Sequence, residues 1–175
     1  MDVSKSLLLL ALSGVSTAAI AADAKSVPEP AAFVKKAAQD GMTEVAAGKV
    51  ALAKSEDPSV RSFAQRMVND HGKANAELSS IAKAKGIDVP KELDAEHQSM
   101  VDALSAKTGK EFDREYSQHM NMDHGKAIAL FEGASKSADA DLAGFAKKTL
   151  PTLKEHKALA EKLPGKQASM PSAGN

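Results

Sequence analysis

The sequence predicts an all-α fold, a bundle of four long helices, and three observations carry that reading. Alanine is abundant and β-branched runs are missing after Pro30, so local propensity favours helix. Apolar residues recur at intervals of three and four, the period of a helix with one buried face. One helical phrase is also written twice. Phe63-Ala-Gln-Arg-Met-Val-Asn-Asp-His-Gly-Lys-Ala-Asn-Ala returns 53 residues later as Tyr116-Ser-Gln-His-Met-Asn-Met-Asp-His-Gly-Lys-Ala-Ile-Ala.

The first long helix is expected from Ala31 to Lys54, where Ser55 to Asp57 break it. Asp57-Pro58 then supplies an N-cap and a proline at the first helical position. The second helix carries Val60, Phe63, Met67, His71, Ala74, Leu78 and Ile81 on one face and stops at Gly86. Ile87 to Pro90 form a turn before a shorter helix striped by Leu93, His97, Met100 and Leu104. Thr108-Gly-Lys-Glu111 reads as a capping box that opens the third long helix. Its stripe is Phe112, Tyr116, Met120, His124, Ala127 and Phe131. Ser137 to Asp141 cap the fourth, striped by Leu142, Phe145, Thr149, Leu153, His156, Ala160 and Leu163. Pro151 falls inside it and is expected to kink it. The long join between the second and third helices, with a short helix of its own, favours a ferritin-like crossover over simple up-down-up-down connectivity.

The organisation expected is a signal peptide over 1–21, a linker over 22–30, the bundle over 31–163 and a disordered tail over 164–175. Lys5 ends a short n-region in which Asp2 is atypical, Leu7 to Val15 supply the apolar stretch, and Ala19-Ile20-Ala21 offers a cleavage site. This leader predicts a periplasmic protein with no transmembrane anchor after processing, and leaves association with the outer membrane open. The absence of cysteine excludes a lipid-anchored lipoprotein, disulfides and thiolate metal sites. Basic and acidic residues balance at 23 each, aromatic content is 3% and tryptophan is absent, which argues against a nucleic-acid partner. Oligomeric state is left open.

Histidines interrupt the apolar stripes at His71, His124 and His156. On the first helix Glu44 lines up with Phe33, Ala37, Gly41 and Gly48, and the small residues among them would leave room around its carboxylate. Glu44 lies 13 residues before Asp57 and His71 lies 14 after it, so a hairpin holds them at nearly one height. From Ser137, His124 and His156 are 13 and 19 residues away, a mismatch of roughly 9 Å. One carboxylate and three imidazoles converging in a bundle form a candidate transition-metal site for Fe, Zn or Cu. The competing reading is a core hydrogen-bond network with no metal, structural or proton-responsive. Asp70 and Asp123 diverge from their neighbouring histidines by about 100° and suit acceptors that orient an imidazole on another helix. Tyr116 and Asp113 could line the same cavity. His119 with Met120 and Met122 mixes imidazole and thioether, a softer copper-like set, but His119 and Met122 point away from the stripe. His97 reads as a boundary residue. Gly72 and Gly125 each follow an acid-His pair, either for close packing or for no evident purpose.

With these residues the chain resembles the DUF4142 family of bacterial proteins, often described as outer membrane or periplasmic and of unknown function. The resemblance spans about Phe33 to Leu163. It rests on Phe33-Val34 with Gly41-Met42-Thr43-Glu44, on Ala64-Gln65-Arg66-Met67-Val68-Asn69-Asp70-His71, and on Phe112-Asp113-Arg114-Glu115-Tyr116. Asp123-His124 with Phe131, and Leu150-Pro151-Thr152-Leu153-Lys154-Glu155-His156, complete it. It implies a ferritin-like four-helix fold, with family positions falling on Glu44, His71, His124 and His156, and it implies no activity. Di-iron members of the ferritin-like group carry Glu-x-x-His on two helices. Here the residues three before the histidines are Val68, Asn121 and Leu153. That departure weighs against a di-iron oxidase.

Three functions follow. One is a metal-binding protein for storage, buffering or stress defence; a second is a non-catalytic envelope protein with a structural polar core; the third is a metal-dependent oxidase. No nucleophile motif or phosphate loop supports an enzyme.

Overall fold

The computed structural model describes residues 27–165. Five helices follow in order: α1 (Pro30–Lys54), α2 (Pro58–Ala84), α3 (Ala95–Ser105), α4 (Gly109–Ala134) and α5 (Ala140–Ala160). The expected leader, most of the linker and nearly all of the tail lie outside the described residues. Pro30, assigned to the linker from sequence, is the first residue of α1.

Local chemistry sets most of the helix ends. Asp57 accepts from the backbone N–H groups of Ser59 (2.8 Å) and Val60 (3.2 Å), so α2 starts where the Asp-Pro pair predicts. Arg61 donates to the carbonyls of Leu52 (2.5 Å) and Ser55 (3.1 Å), closing the α1–α2 turn. Past α2, Gly86 adopts φ 67°, the left-handed backbone that glycine reaches without strain. Asp139 caps α5 through Asp141 and Leu142, both at 3.1 Å.

The capping box at the start of α4 does not form. Thr108 makes no side-chain cap bond, and Glu111 pairs instead with Lys107 at 2.7 Å. Gly109 enters the helix at φ 55°, left-handed rather than helical, so the residue after the cap lacks the geometry that a capping box requires.

α1 packs on α2 and α4, and α5 packs on α4 and α2, leaving α2 and α4 diagonal across the bundle. One apolar cluster joins Phe33, Val34, Leu78, Phe131, Leu142 and Phe145. A second joins Ala47, Phe63, Met67, Phe112, Tyr116 and Ala160. The early residues of α2 and α4 therefore share one end and their late residues the other, so these two helices run parallel. That is the ferritin-like connectivity, with α3 in the crossover and lying on α1. Gln39, buried on α1, fastens the crossover by donating to the Glu92 carbonyl (3.0 Å) and accepting from Asp94 N–H (3.1 Å). Lys85 after α2 bridges Asp139 (2.9 Å) and Asp141 (2.8 Å) at the start of α5, tying the two hairpins together.

Glycine brings α1 close to α2. A Cβ on Gly48 would stand 3.0 Å from the Ala64 carbonyl oxygen, and one on Gly41 would overlap the Asn75 amide at 2.2 Å. These glycines therefore serve close helix packing, and Gly41 also lines a small cavity together with Glu44 and Asn75. Nothing lies within 4 Å of a Cβ on Gly72, and only the Lys157 side chain, at 3.9 Å, approaches one on Gly125. Packing gives no reason for either glycine.

Candidate metal centre

The histidines occupy core positions between the two apolar clusters because each falls on its helix's buried stripe. His71 lies four residues after Met67, His124 four after Met120 and His156 three after Leu153, all buried. The ring centroids of His71 and His124 are 5.5 Å apart, those of His71 and His156 5.4 Å, and those of His124 and His156 5.3 Å. The axial mismatch expected for His156 does not separate it from the others. Residue counting assumes straight helices leaving the loop at one height, and Pro151 inside α5 undermines that assumption.

The repeated phrase explains the register. Parallel, diagonal helices carry its two copies, so matching positions meet across the bundle axis: His71 meets His124, and Phe63 meets Tyr116 at 6.2 Å. Phe63 also packs edge-on against His124 (6.2 Å) and His156 (6.3 Å), forming one wall of the cluster. From sequence Phe63 read only as core. Its match to Tyr116 in the repeat was the available signal.

Outer partners fix two of the rings. Nδ1 of His124 is 2.7 Å from the Met120 carbonyl, which can only accept, so Nδ1 carries the proton and Nε2 a lone pair. Nε2 of His156 is 3.0 Å from the Asp70 carboxylate, which leaves the lone pair on Nδ1. His124 Nε2, His156 Nδ1 and His71 Nε2 are all buried without a hydrogen-bond partner. One nitrogen from each ring lies within 4.8 Å of the other two, so the three could hold a metal ion. By elimination, the partnerless nitrogens are the ones free to bind it.

Burial favours neutral rings. It pushes His71 well below the ordinary imidazole range, with His124 and His156 adding repulsion. It takes His124 down to about 4 and lowers His156 as well, against the opposing pull of Asp70. Burial raises Glu44 well above the carboxylate range, helped by Asp123 and Asp40. Glu44 Oε1 approaches His124 Nδ1 to 3.8 Å, and burial disfavours the charged form of both groups.

The remaining candidates fall in different places. Glu44 is buried beside the triad but is not one of its mutually close donors, and its Oε2 has no partner. With Asp123, His71 and His124 it lines a small inner cavity of about 30 Å³. Asp70 on α2 reaches His156 on α5. Asp123 contacts Lys126 at 3.4 Å. Tyr116 is buried with a partnerless hydroxyl, stacked on Phe112 at 5.9 Å. Glu155, beside His156 in sequence, pairs with Arg66 at the surface. His97 holds Asp94 at 2.6 Å and Asp40 at 3.4 Å. Asn75, in the wall of the inner cavity, sits four residues after His71 and three before Leu78, at the edge of the stripe, where a polar residue reads as a boundary position.

Two predictions follow from this geometry. Ala in place of Asp70 removes the acceptor that holds His156, and lost outer partners of this kind cost roughly 10–100-fold in metal affinity. A Zn(II) competition titration measures this, and unchanged affinity would show that Asp70 has no such role. The second concerns pH without metal. The three histidines bind protons more readily unfolded, so their contribution is full above about pH 6.5 and is lost as pH falls toward about 4, the His124 value. Glu44 acts with the opposite sign: its raised value favours the fold below about pH 4.5 and loses that contribution as pH rises. Three imidazoles outweigh one carboxyl, so stability of the chelated protein is expected to climb from about pH 4.5 to a maximum near 6.5. Urea unfolding in a chelator across that range checks it; a steady decline over the interval would mean that the rings are charged in the fold.

The family described as "Domain of unknown function (DUF4142)" matches residues 15–163. Among solved structures the chain is similar to the crystal structure of a DUF305 fragment from Deinococcus radiodurans. The TM-score is 0.69 at 16% identity, over 78% of this chain and 95% of that one, a likeness of fold. No curated protein matches. Spanning both helical hairpins and all three histidines, the match shows that the chain belongs to the DUF4142 family.

Proposed function

We propose that this chain is an exported helical-bundle protein that binds one transition-metal ion in its core and serves in metal storage, buffering or stress defence. The observation that carries this reading is the set of three buried, partnerless ring nitrogens within reach of one ion. His71, His124 and His156 hold the ion, and Glu44 is the nearby carboxyl group that can shed its proton to offset charge. Neutral imidazoles suit Zn, Fe and Cu and bind without first losing a proton. Asp70 fixes the His156 tautomer, and Phe63 with the two apolar clusters keeps water away.

A purely structural polar core is the second reading, and one feature weighs against it. His124 and His156 both present lone pairs inward, so they cannot satisfy each other. Each buried polar atom left unmet costs ~1–3 kcal/mol. Export rests on the apolar leader; among the described residues no helix is long and apolar enough to cross a membrane. Elemental analysis of the protein purified from the exported fraction tests the proposal. At least one equivalent of a transition metal is expected. Metal-free protein whose thermal midpoint is unmoved by Zn(II), Cu(II) and Fe(II) would refute it.

A further inference from the structure

We propose that the pocket between α1, α3 and α4 is a second metal site, for a soft monovalent cation of the Cu(I) type, held by His119, Met100 and Met122. The pocket has a volume of about 150 Å³. His119 and Met122, three residues apart on α4, lie on one side of the helix, and Met100 faces them from α3. Nε2 of His119 is buried and has no hydrogen-bond partner. The pocket's other imidazole, His97, already holds two carboxylates and is left out of the donor set. Met122 is 48% exposed, one of two large hydrophobic side chains so exposed among the described residues, and packing gives no reason for a thioether there.

Thioether and imidazole together select soft cations, and oxygen-preferring ions bind such sets poorly. The same wall contains Glu44, about nine-tenths buried, whose Oε2 lacks a partner. Glu44, Asp40 and Asp123 also line the inner cavity, so the pocket lies one layer of carboxyl groups away from the triad. The site uses other side chains than the inner centre and stands or falls separately from it.

Anaerobic titration of the whole protein with Cu(I), in competition with a chromophoric Cu(I) chelator, tests the site. The H71Q/H124Q variant, with the inner centre disabled, is expected to retain one equivalent of Cu(I). The M100L/M122L pair keeps side-chain volume; added to H71Q/H124Q it is expected to weaken that equivalent at least tenfold, and added to the unmutated chain it should leave Zn(II) binding unchanged. Methyl resonances of Met100 and Met122 in the unmutated protein should shift on Cu(I) addition, a readout that needs no variant to fold. Unshifted methyls, or Cu(I) bound as tightly by H71Q/H124Q carrying M100L/M122L as by H71Q/H124Q alone, would overturn the proposal.

Discussion

Replacing His71 or His124 with alanine is expected to abolish stoichiometric Zn(II) binding, because either change leaves two of the three clustered nitrogens. The effect has two readouts. Metal at a hundredfold excess over its dissociation constant stabilises the intact fold by about 2.7 kcal/mol. For a chain of this size that raises the melting temperature by roughly 5–10 °C. The variants should show no such rise while remaining folded without metal, since removing either ring also removes an unmet polar atom. A variant that still bound one equivalent with the original thermal shift would place the ion elsewhere.

Phe63→Ala should produce the largest loss of stability of any single change near the site. The ring is buried, and it touches Tyr116, His124 and His156 at centroid distances of 6.2–6.3 Å. Removing a phenyl ring from such a position costs ~3–5 kcal/mol, part of it from the cavity left behind. The melting temperature should fall by roughly 10 °C. Because that cavity borders two of the three imidazoles, metal affinity should fall with it, whereas Phe63→Leu should retain most of both. Denaturant unfolding and Zn(II) titration of the two variants separate the outcomes. Equal stability of Phe63→Ala and the unmutated protein would show that the ring does not hold the cluster together.

Much of the architecture was legible because helix periodicity and end signals are local. The Asp57-Pro58 start, the crossover helix and the stripes through Met67, Met120 and Leu153 all follow from spacing and capping chemistry. Spacing also put His71, His124 and His156 on buried faces. It could not tell which atoms meet across helices. The Asp70–His156 bond joins residues 86 apart, and nothing in either helix alone announces it. Glu44 had the right phase and height, yet it borders the triad without joining its close donors, because phase fixes a face and not a side chain's reach. The Thr108–Glu111 motif failed for a local reason, since Lys107 and the left-handed Gly109 offered another arrangement. Gln39 escaped notice because its partners are backbone groups of the crossover, which carry no sequence signature.

The two copies of the helical phrase meeting across the axis have a further consequence. They give this layer of the bundle an approximate twofold symmetry, with the matched histidines of α2 and α4 on one diagonal. The other diagonal breaks it, since α1 contributes an acid, Glu44, and α5 an imidazole, His156. A symmetric centre would look the same from either flank, but here the acidic flank is the one beside α3. The layer thus has a front and a back, so any ion crossing between solvent and the interior meets the two flanks as chemically different doors.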